Sequence, residues 1–208
     1  MATPASTSTL AQAQLFGARA DCAIPGLKYQ PDFLSSSEEL TLLEIFSTLA
    51  LKEAEYRQWH ANRRTVSYGG KYDFTANELL PAEPVAQFLL PLRARIAAWA
   101  EIAASQFNHA IIAEYRTGTQ LGWHRDVHHF ESVAGVSLAG PARMRFRPYP
   151  TPLGNRRGAF ALDLQPRSVY SMQGCARWDW QHAISATKTL RYSITFRTLA
   201  EKLAPRTG

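Results

Sequence analysis

Near the middle of the chain, Trp123-His124-Arg125-Asp126 sets an imidazole and a carboxylate two residues apart. In an extended segment, residues two apart project to the same face, so His124 and Asp126 can converge on one point. One nitrogen and one oxygen fill only part of a metal's coordination sphere. His182, well downstream in a strand-rich region, offers a third donor. Two histidines and a carboxylate on one face of an octahedron leave three positions open, the arrangement suited to oxygen chemistry at non-haem iron(II). His60, His109, His128 and His129 are the competing histidines. His128 and His129 follow Asp126 so closely that they read as loop residues near the mouth of such a site.

An HxD triplet alone arises often by chance; the C-terminal strand gives it weight. In Arg191-Tyr192-Ser193-Ile194-Thr195-Phe196-Arg197, alternation puts Arg191, Ser193, Thr195 and Arg197 on one face and Tyr192, Ile194 and Phe196 on the other, which would pack. The two arginines stand roughly 20 Å apart along a strand, and with the reach of both side chains they could grip opposite ends of a short dicarboxylate. The planar guanidinium fork matches a carboxylate better than a lysine does.

Taken in order, Tyr115, His124-Arg125-Asp126, Val136-Ser137-Leu138, His182 and the Arg191 to Arg197 strand resemble the AlkB family of iron(II)- and 2-oxoglutarate-dependent oxygenases. A weaker similarity covers residues 64–72. The resemblance implies that His124, Asp126 and His182 ligate iron(II). It implies that Arg191 pairs with the distal carboxylate of 2-oxoglutarate, that Arg197 lies near its metal-bound end, and that Tyr115 and Ser193 also line the co-substrate site. This chain departs from the family in having Ala113 and Ser193 where asparagine is frequent, which removes two polar contacts to the co-substrate.

The reaction so implied consumes O2 and 2-oxoglutarate, yields succinate and carbon dioxide, and removes N-alkyl groups, methyl or etheno, from nucleobases in DNA and possibly RNA. Such a group is hidden in a duplex, so the base must come from a single strand or be extruded and stacked. Tyr68, Tyr72 and Phe74, with Arg63, Arg64 and Lys71 nearby, could form a lid of aromatic and basic residues, and Trp123 could wall the pocket or belong to the core. The alternative is the same oxygenase chemistry on a protein or small-molecule substrate. Arg143, Arg145 and Arg147 share one strand face, and Arg156 and Arg157 lie in a turn; each set is a candidate for phosphate contact.

Several elements must position these residues. Ser35, Ser36, Glu38 and Glu39 form overlapping capping boxes before a helix-spaced apolar stretch over residues 40–51. A second helix is predicted from about 85 to 106, with Leu92, Ile96 and Trp99 on one face and Pro91 as a possible break. β-prone segments follow at 110–115, 133–138, 143–147, 159–164, 168–172 and 190–197, and segments at 65–68 and 72–74 read as an early hairpin or cover loop. Helices first and strands later predict an α+β fold, a double-stranded β-helix (jelly roll) core buttressed by N-terminal helices.

With 208 residues the chain suits one domain, expected over 23–208 after a flexible tail at 1–22. Its formal net charge is +6, which favours a polyanionic partner such as alkylated DNA or RNA. The two cysteines, Cys22 and Cys175, form neither a zinc signature nor a disulfide framework. No apolar run is long enough to span a bilayer, so the expectation is a cytoplasmic monomer with no membrane partner.

Overall fold

The computed structural model describes residues 24–56, 59–73, 76, 78–150 and 159–200. The expected tail at 1–22, Phe74, Arg156 and Arg157 lie outside these residues.

Two antiparallel sheets form the body. β1 (Leu27–Gln30), β2 (Lys52–Tyr56), β3 (Trp59–Tyr68), β6 (Phe107–Tyr115), β8 (Phe130–Leu138), β11 (Val169–Met172) and β13 (Arg191–Leu199) make the major sheet, in the order β1-β11-β8-β13-β6-β3-β2. β7 (Leu121–His124), β9 (Ala142–Pro148), β10 (Phe160–Leu164) and β12 (Trp180–Ile184) make the minor sheet, in the order β10-β9-β12-β7. β4 (Lys71–Asp73) and β5 (Glu78–Leu80) pair as a separate hairpin. The six segments read as strands from the sequence all lie in these sheets. β3 extends well before residue 65 and joins the major sheet, so the cover hairpin is β4–β5 alone.

One face of β13 packs into the helix-side core, and the other carries Arg191, Ser193, Thr195 and Arg197. Ile194 and Phe196, fully buried, turn toward the layer that holds the helices α1 (Ser36–Thr48) and α2 (Leu90–Ala100), with Tyr192 beside them. Leu42 and Phe46 of α1 and Leu92 and Ile96 of α2 complete that core. A second core fills the space between the sheets, from Val133, Met144, Phe146, Leu164, Tyr170, Met172 and Ile184. Burying both faces of the central strands stabilises the major sheet at roughly 25 cal/mol per Å2 of apolar surface removed from water.

The helix ends follow their chemistry. Ser35 caps α1: its Oγ accepts from the Glu38 backbone N–H at 3.2 Å and the Glu38 carboxylate accepts from the Ser35 N–H at 2.7 Å. Glu39 does not form the second capping box; it accepts from the Ala139 N–H at 2.8 Å, tying α1 to the turn after β8. α2 is shorter than residues 85–106. Pro91 sits in its first turn, where no backbone donor is needed, so it starts the helix rather than breaking it. Glu101, with φ of 61°, ends it. No described helix is long and apolar enough to cross a membrane.

Candidate metal centre

The centre lies on the inner face of the minor sheet. β7 and β12 pair His124 directly with His182, and their rings stand 4.2 Å apart. The next register pair is Ile184 with Leu121, so β7 carries an extra residue here. That bulge lets Leu121 and His124 both face inward although they are not two apart. Asp126 follows in the loop after β7. The ligand atoms of His124, Asp126 and His182 all lie within 4.8 Å of one another.

His124 and Asp126 are each oriented by a second group. The Nδ1–H of His124 donates to the Gly122 carbonyl at 2.8 Å, which leaves Nε2 as the lone-pair nitrogen. Arg197 Nε donates to Asp126 Oδ1 at 2.8 Å, and Oδ2 lies 3.6 Å from His182 Nε2. The loop carrying Asp126 is pinned by Arg177, from the short helix α3 (Gly174–Trp178). The buried Arg177 guanidinium donates to the carbonyls of Asp126 at 3.1 Å, Val127 at 2.8 Å and Phe130 at 2.7 Å. No periodicity marks Arg177 in the sequence, and the sequence reading missed it.

The protonation states suit a divalent cation. Burial, with His124 alongside, pushes the His182 imidazole down to about 3. Burial also lowers His124. For Asp126, burial favours the neutral acid, yet Arg197 and the two histidines outweigh it and hold the carboxyl well below its usual range. At neutral pH the centre is therefore two neutral imidazoles and one carboxylate, the forms that ligate without first losing a proton.

Beside it is a cradle for an anion. Arg63, Tyr115 and Arg191 are register partners across β3, β6 and β13. Arg63 Nη1 donates to the Tyr115 hydroxyl at 3.3 Å, and the Arg191 guanidinium lies 4.8 Å from the Tyr115 ring centre. Arg191 is 1% exposed; its Nε donates to Ser137 Oγ at 3.0 Å. The Nη1 atoms of Arg191 and Arg197 are buried and have no hydrogen-bond partner among the described residues. Burying a charged donor without an acceptor costs several kcal/mol, and a dicarboxylate spanning the two guanidinium groups would satisfy both. Ser193, also buried, lies between them on the same strand face. Tyr170, on β11, extends its ring over Gly135 of β8 in the space between the sheets. Burial pushes its hydroxyl up to about 12, so it stays protonated and able to donate. Neither Tyr170 nor the Ser137 contact to Arg191 was assigned from the sequence; the signal for Tyr170 was a glycine in a strand interior, a position that often marks a close approach.

The residues expected to bind substrate part company. Tyr72 meets His129 edge-on, with ring centres 5.5 Å apart, linking the β4–β5 hairpin to the loop after Asp126. Arg63 instead turns to Tyr115, beside Arg191. Arg64 projects from the other face of β3, where Nε and Nη2 donate to the Glu114 carboxylate at 2.8 Å and 2.6 Å. Tyr68 packs against the helix-side core. Trp123 turns away from His124 to the outer face of the minor sheet, where the Arg145 and Arg147 guanidinium groups lie 5.0 Å and 4.5 Å from its ring centre.

A jelly roll that presents a two-histidine, one-carboxylate centre beside buried arginines defines a non-haem iron oxygenase. The chain belongs to the 2OG-Fe(II) oxygenase superfamily, which it matches over residues 26–197, and AlkB homologues are among the proteins it is similar to. It is 30% identical over 182 residues to the alkylated DNA repair protein ALKBH8 homolog of Arabidopsis thaliana, covering 77% of this chain and 51% of that protein. The chain thus spans about half the length of this curated relative. The solved structure of OsALKBH1 shares the fold, with a TM-score of 0.65 and 14% identity over 84% of this chain and 97% of that one. The cofactors are Fe(II), 2-oxoglutarate and O2, and the donor set and the partnerless Nη1 atoms fit them.

Proposed function

We propose that the protein oxidatively removes N-alkyl groups, methyl or etheno, from nucleobases of DNA or RNA. The observation that carries this reading is the Tyr72–His129 aromatic contact, set over the loop that delivers the ligand Asp126. It brings π-faces from the β4–β5 hairpin to the loop that carries Asp126, as a base taken out of its stack requires. The net charge of +6 suits a phosphate backbone, and the alkylated DNA repair protein similar to this chain points the same way.

His124, Asp126 and His182 hold the iron, and Arg191, Tyr115 and Arg197 hold 2-oxoglutarate. When bound, iron(II) and 2-oxoglutarate would activate O2, the oxidant: 2-oxoglutarate would give up two electrons as it is decarboxylated to succinate, and the alkyl carbon would be hydroxylated and leave as an aldehyde. Arg197 keeps Asp126 ionised and oriented. Arg63 and Arg191 fix the Tyr115 hydroxyl, and the core between the sheets excludes water from the inner side of the site.

The test incubates protein loaded anaerobically with iron(II) with 2-oxoglutarate, air and oligonucleotides bearing 1-methyladenine, 3-methylcytosine or ethenoadenine in DNA and RNA. Mass spectrometry follows adduct and succinate. Adduct loss with the wild type and none with His124→Ala is the expected result, and the best substrate names the polymer. Succinate formed while every adduct survives would overturn the nucleobase reading in favour of a protein or small-molecule substrate.

A further inference from the structure

The outer face of the minor sheet carries a feature that the metal site does not use. Trp123 lies on β7, the edge strand of that sheet, with its ring on the opposite side from His124. Arg145 and Arg147 of β9 reach it from across β12. Ala183, fully buried between them, leaves a low floor. At the end of β9, Arg125 lies 3.9 Å from the ring centre of Tyr149, which is 43% exposed. Arg143 continues the row and pairs with Asp163 at 3.0 Å. Arg145 is exposed, and no hydrogen bond or ion pair to a protein group is found for it among the described residues.

Packing alone does not call for this composition. An indole on a sheet surface is commonly covered by aliphatic side chains or by the stem of a single lysine or arginine. Here two guanidinium groups converge on one ring and a third stacks on a neighbouring tyrosine, while among the described residues the carboxylate beside them, Asp163, engages only Arg143. The result is a cationic, π-rich surface. Single-stranded nucleic acid is recognised on surfaces of this kind, with bases stacked on aromatic rings or guanidinium planes and phosphates on arginine.

We propose that the outer face of the minor sheet, centred on Trp123, Arg145 and Arg147, is a docking track for single-stranded nucleic acid flanking the nucleotide that enters the metal site. The inference takes from the preceding reading only that the substrate is a strand of nucleic acid. Because Trp123 and His124 are consecutive on an edge strand, a strand held on the outer face needs only to round that edge to reach the inner one. The track adds affinity for polymer over free nucleoside and is indifferent to the alkyl group.

The experiment measures fluorescence anisotropy of an unmodified, fluorescein-labelled single strand of about 16 nucleotides, a length within the range one such surface covers. The wild type is compared with Arg145→Glu and with Arg145→Glu, Arg147→Glu, and the thermal midpoint of each reports the fold. We expect the double variant to bind at least tenfold more weakly, with a log-affinity against log-salt slope flatter by about 0.7 for each arginine lost. Arg145→Lys, Arg147→Lys, which keeps charge without the planar fork, should recover the slope and only part of the affinity. Equal affinity in the wild type and double variant overturns the inference, as does a wild type that does not bind the strand. Adduct loss is read separately: a protein that binds strands through these arginines yet leaves every adduct intact refutes the dealkylase reading and leaves this one standing.

Discussion

Arg197 and Asp126 are joined by a 2.8 Å hydrogen bond from Nε to Oδ1, and the other carboxylate oxygen faces His182 at 3.6 Å. The arginine thus divides the carboxylate between two tasks. One oxygen is spent on orientation, and the other is held toward the imidazoles.

Arg197→Gln removes the charge that keeps Asp126 ionised against burial. Partners of metal ligands of this kind contribute about 10- to 100-fold to metal affinity. The expected outcome is a loss of that size in anaerobic Co(II) titrations followed by absorption, with the binding edge displaced to higher pH. An unchanged edge would show that Arg197 serves the co-substrate alone.

Arg191 makes a separable contribution. It is buried, its Nε is held by Ser137, and its Nη1 awaits an acceptor. Arg191→Met should weaken 2-oxoglutarate by about 2–5 kcal/mol, the usual cost of truncating one side of a buried charged pair. Co(II) affinity without co-substrate should hold. Titrating 2-oxoglutarate into anaerobic Fe(II) protein and following the charge-transfer band reads the first quantity independently of turnover. Equal loss of metal and co-substrate affinity would mean that Arg191 supports the fold of the site as a whole.

What could be read from the sequence depended on period-2 alternation. It sorted β13 into a packing face and a polar one, and it put His124 and Asp126 on one side. The same rule sends Trp123 to the opposite side, as the structure does, because consecutive strand residues face apart. Arg63 and Arg64 divide likewise, to Tyr115 and Glu114 respectively. That division was hidden because the segment before residue 65 is poor in β-branched residues and does not announce a strand. Register was not legible: the direct pairing of His124 with His182 depends on a bulge that no local pattern specifies. Nor was Arg177, whose partners are backbone carbonyls and so leave no trace in the pattern of side chains.

His109 gives the fold a pH dependence of definite sign. Burial, reinforced by Arg197, pushes its imidazole down from 6.5 to about 3. Above pH 6.5 the group is neutral in folded and unfolded chains and contributes no slope. As the pH falls below 6.5 the unfolded chain takes up a proton that the folded chain refuses, so stability declines toward pH 3 at up to about 1.4 kcal/mol per pH unit. His109→Gln removes this titration. Urea denaturation of the metal-free proteins between pH 6 and 4 should show a flatter decline in the variant. Parallel declines would mean that the folded protein admits the proton.

Gly135 and Tyr170 are coupled through space rather than by a bond. A Cβ on Gly135 would collide with Tyr170 Cε1 and lie 2.6 Å from its hydroxyl oxygen. Tyr170 packs within the core between the sheets, 7% exposed, so its ring has little room to retreat. Gly135→Ala should therefore destabilise the protein by about 1–3 kcal/mol, the range for overpacking a closed core. In a Tyr170→Leu background the obstructing ring is gone, and the same substitution should cost far less. The double-mutant cycle, read by urea denaturation at pH 7, should give a coupling of about 0.5–3 kcal/mol that favours the pair. Additive losses would show that the alanine is resisted by the strand backbone and not by Tyr170. The ring would then owe its place over Gly135 to the packing around it, and the glycine would have to be explained by β8 itself.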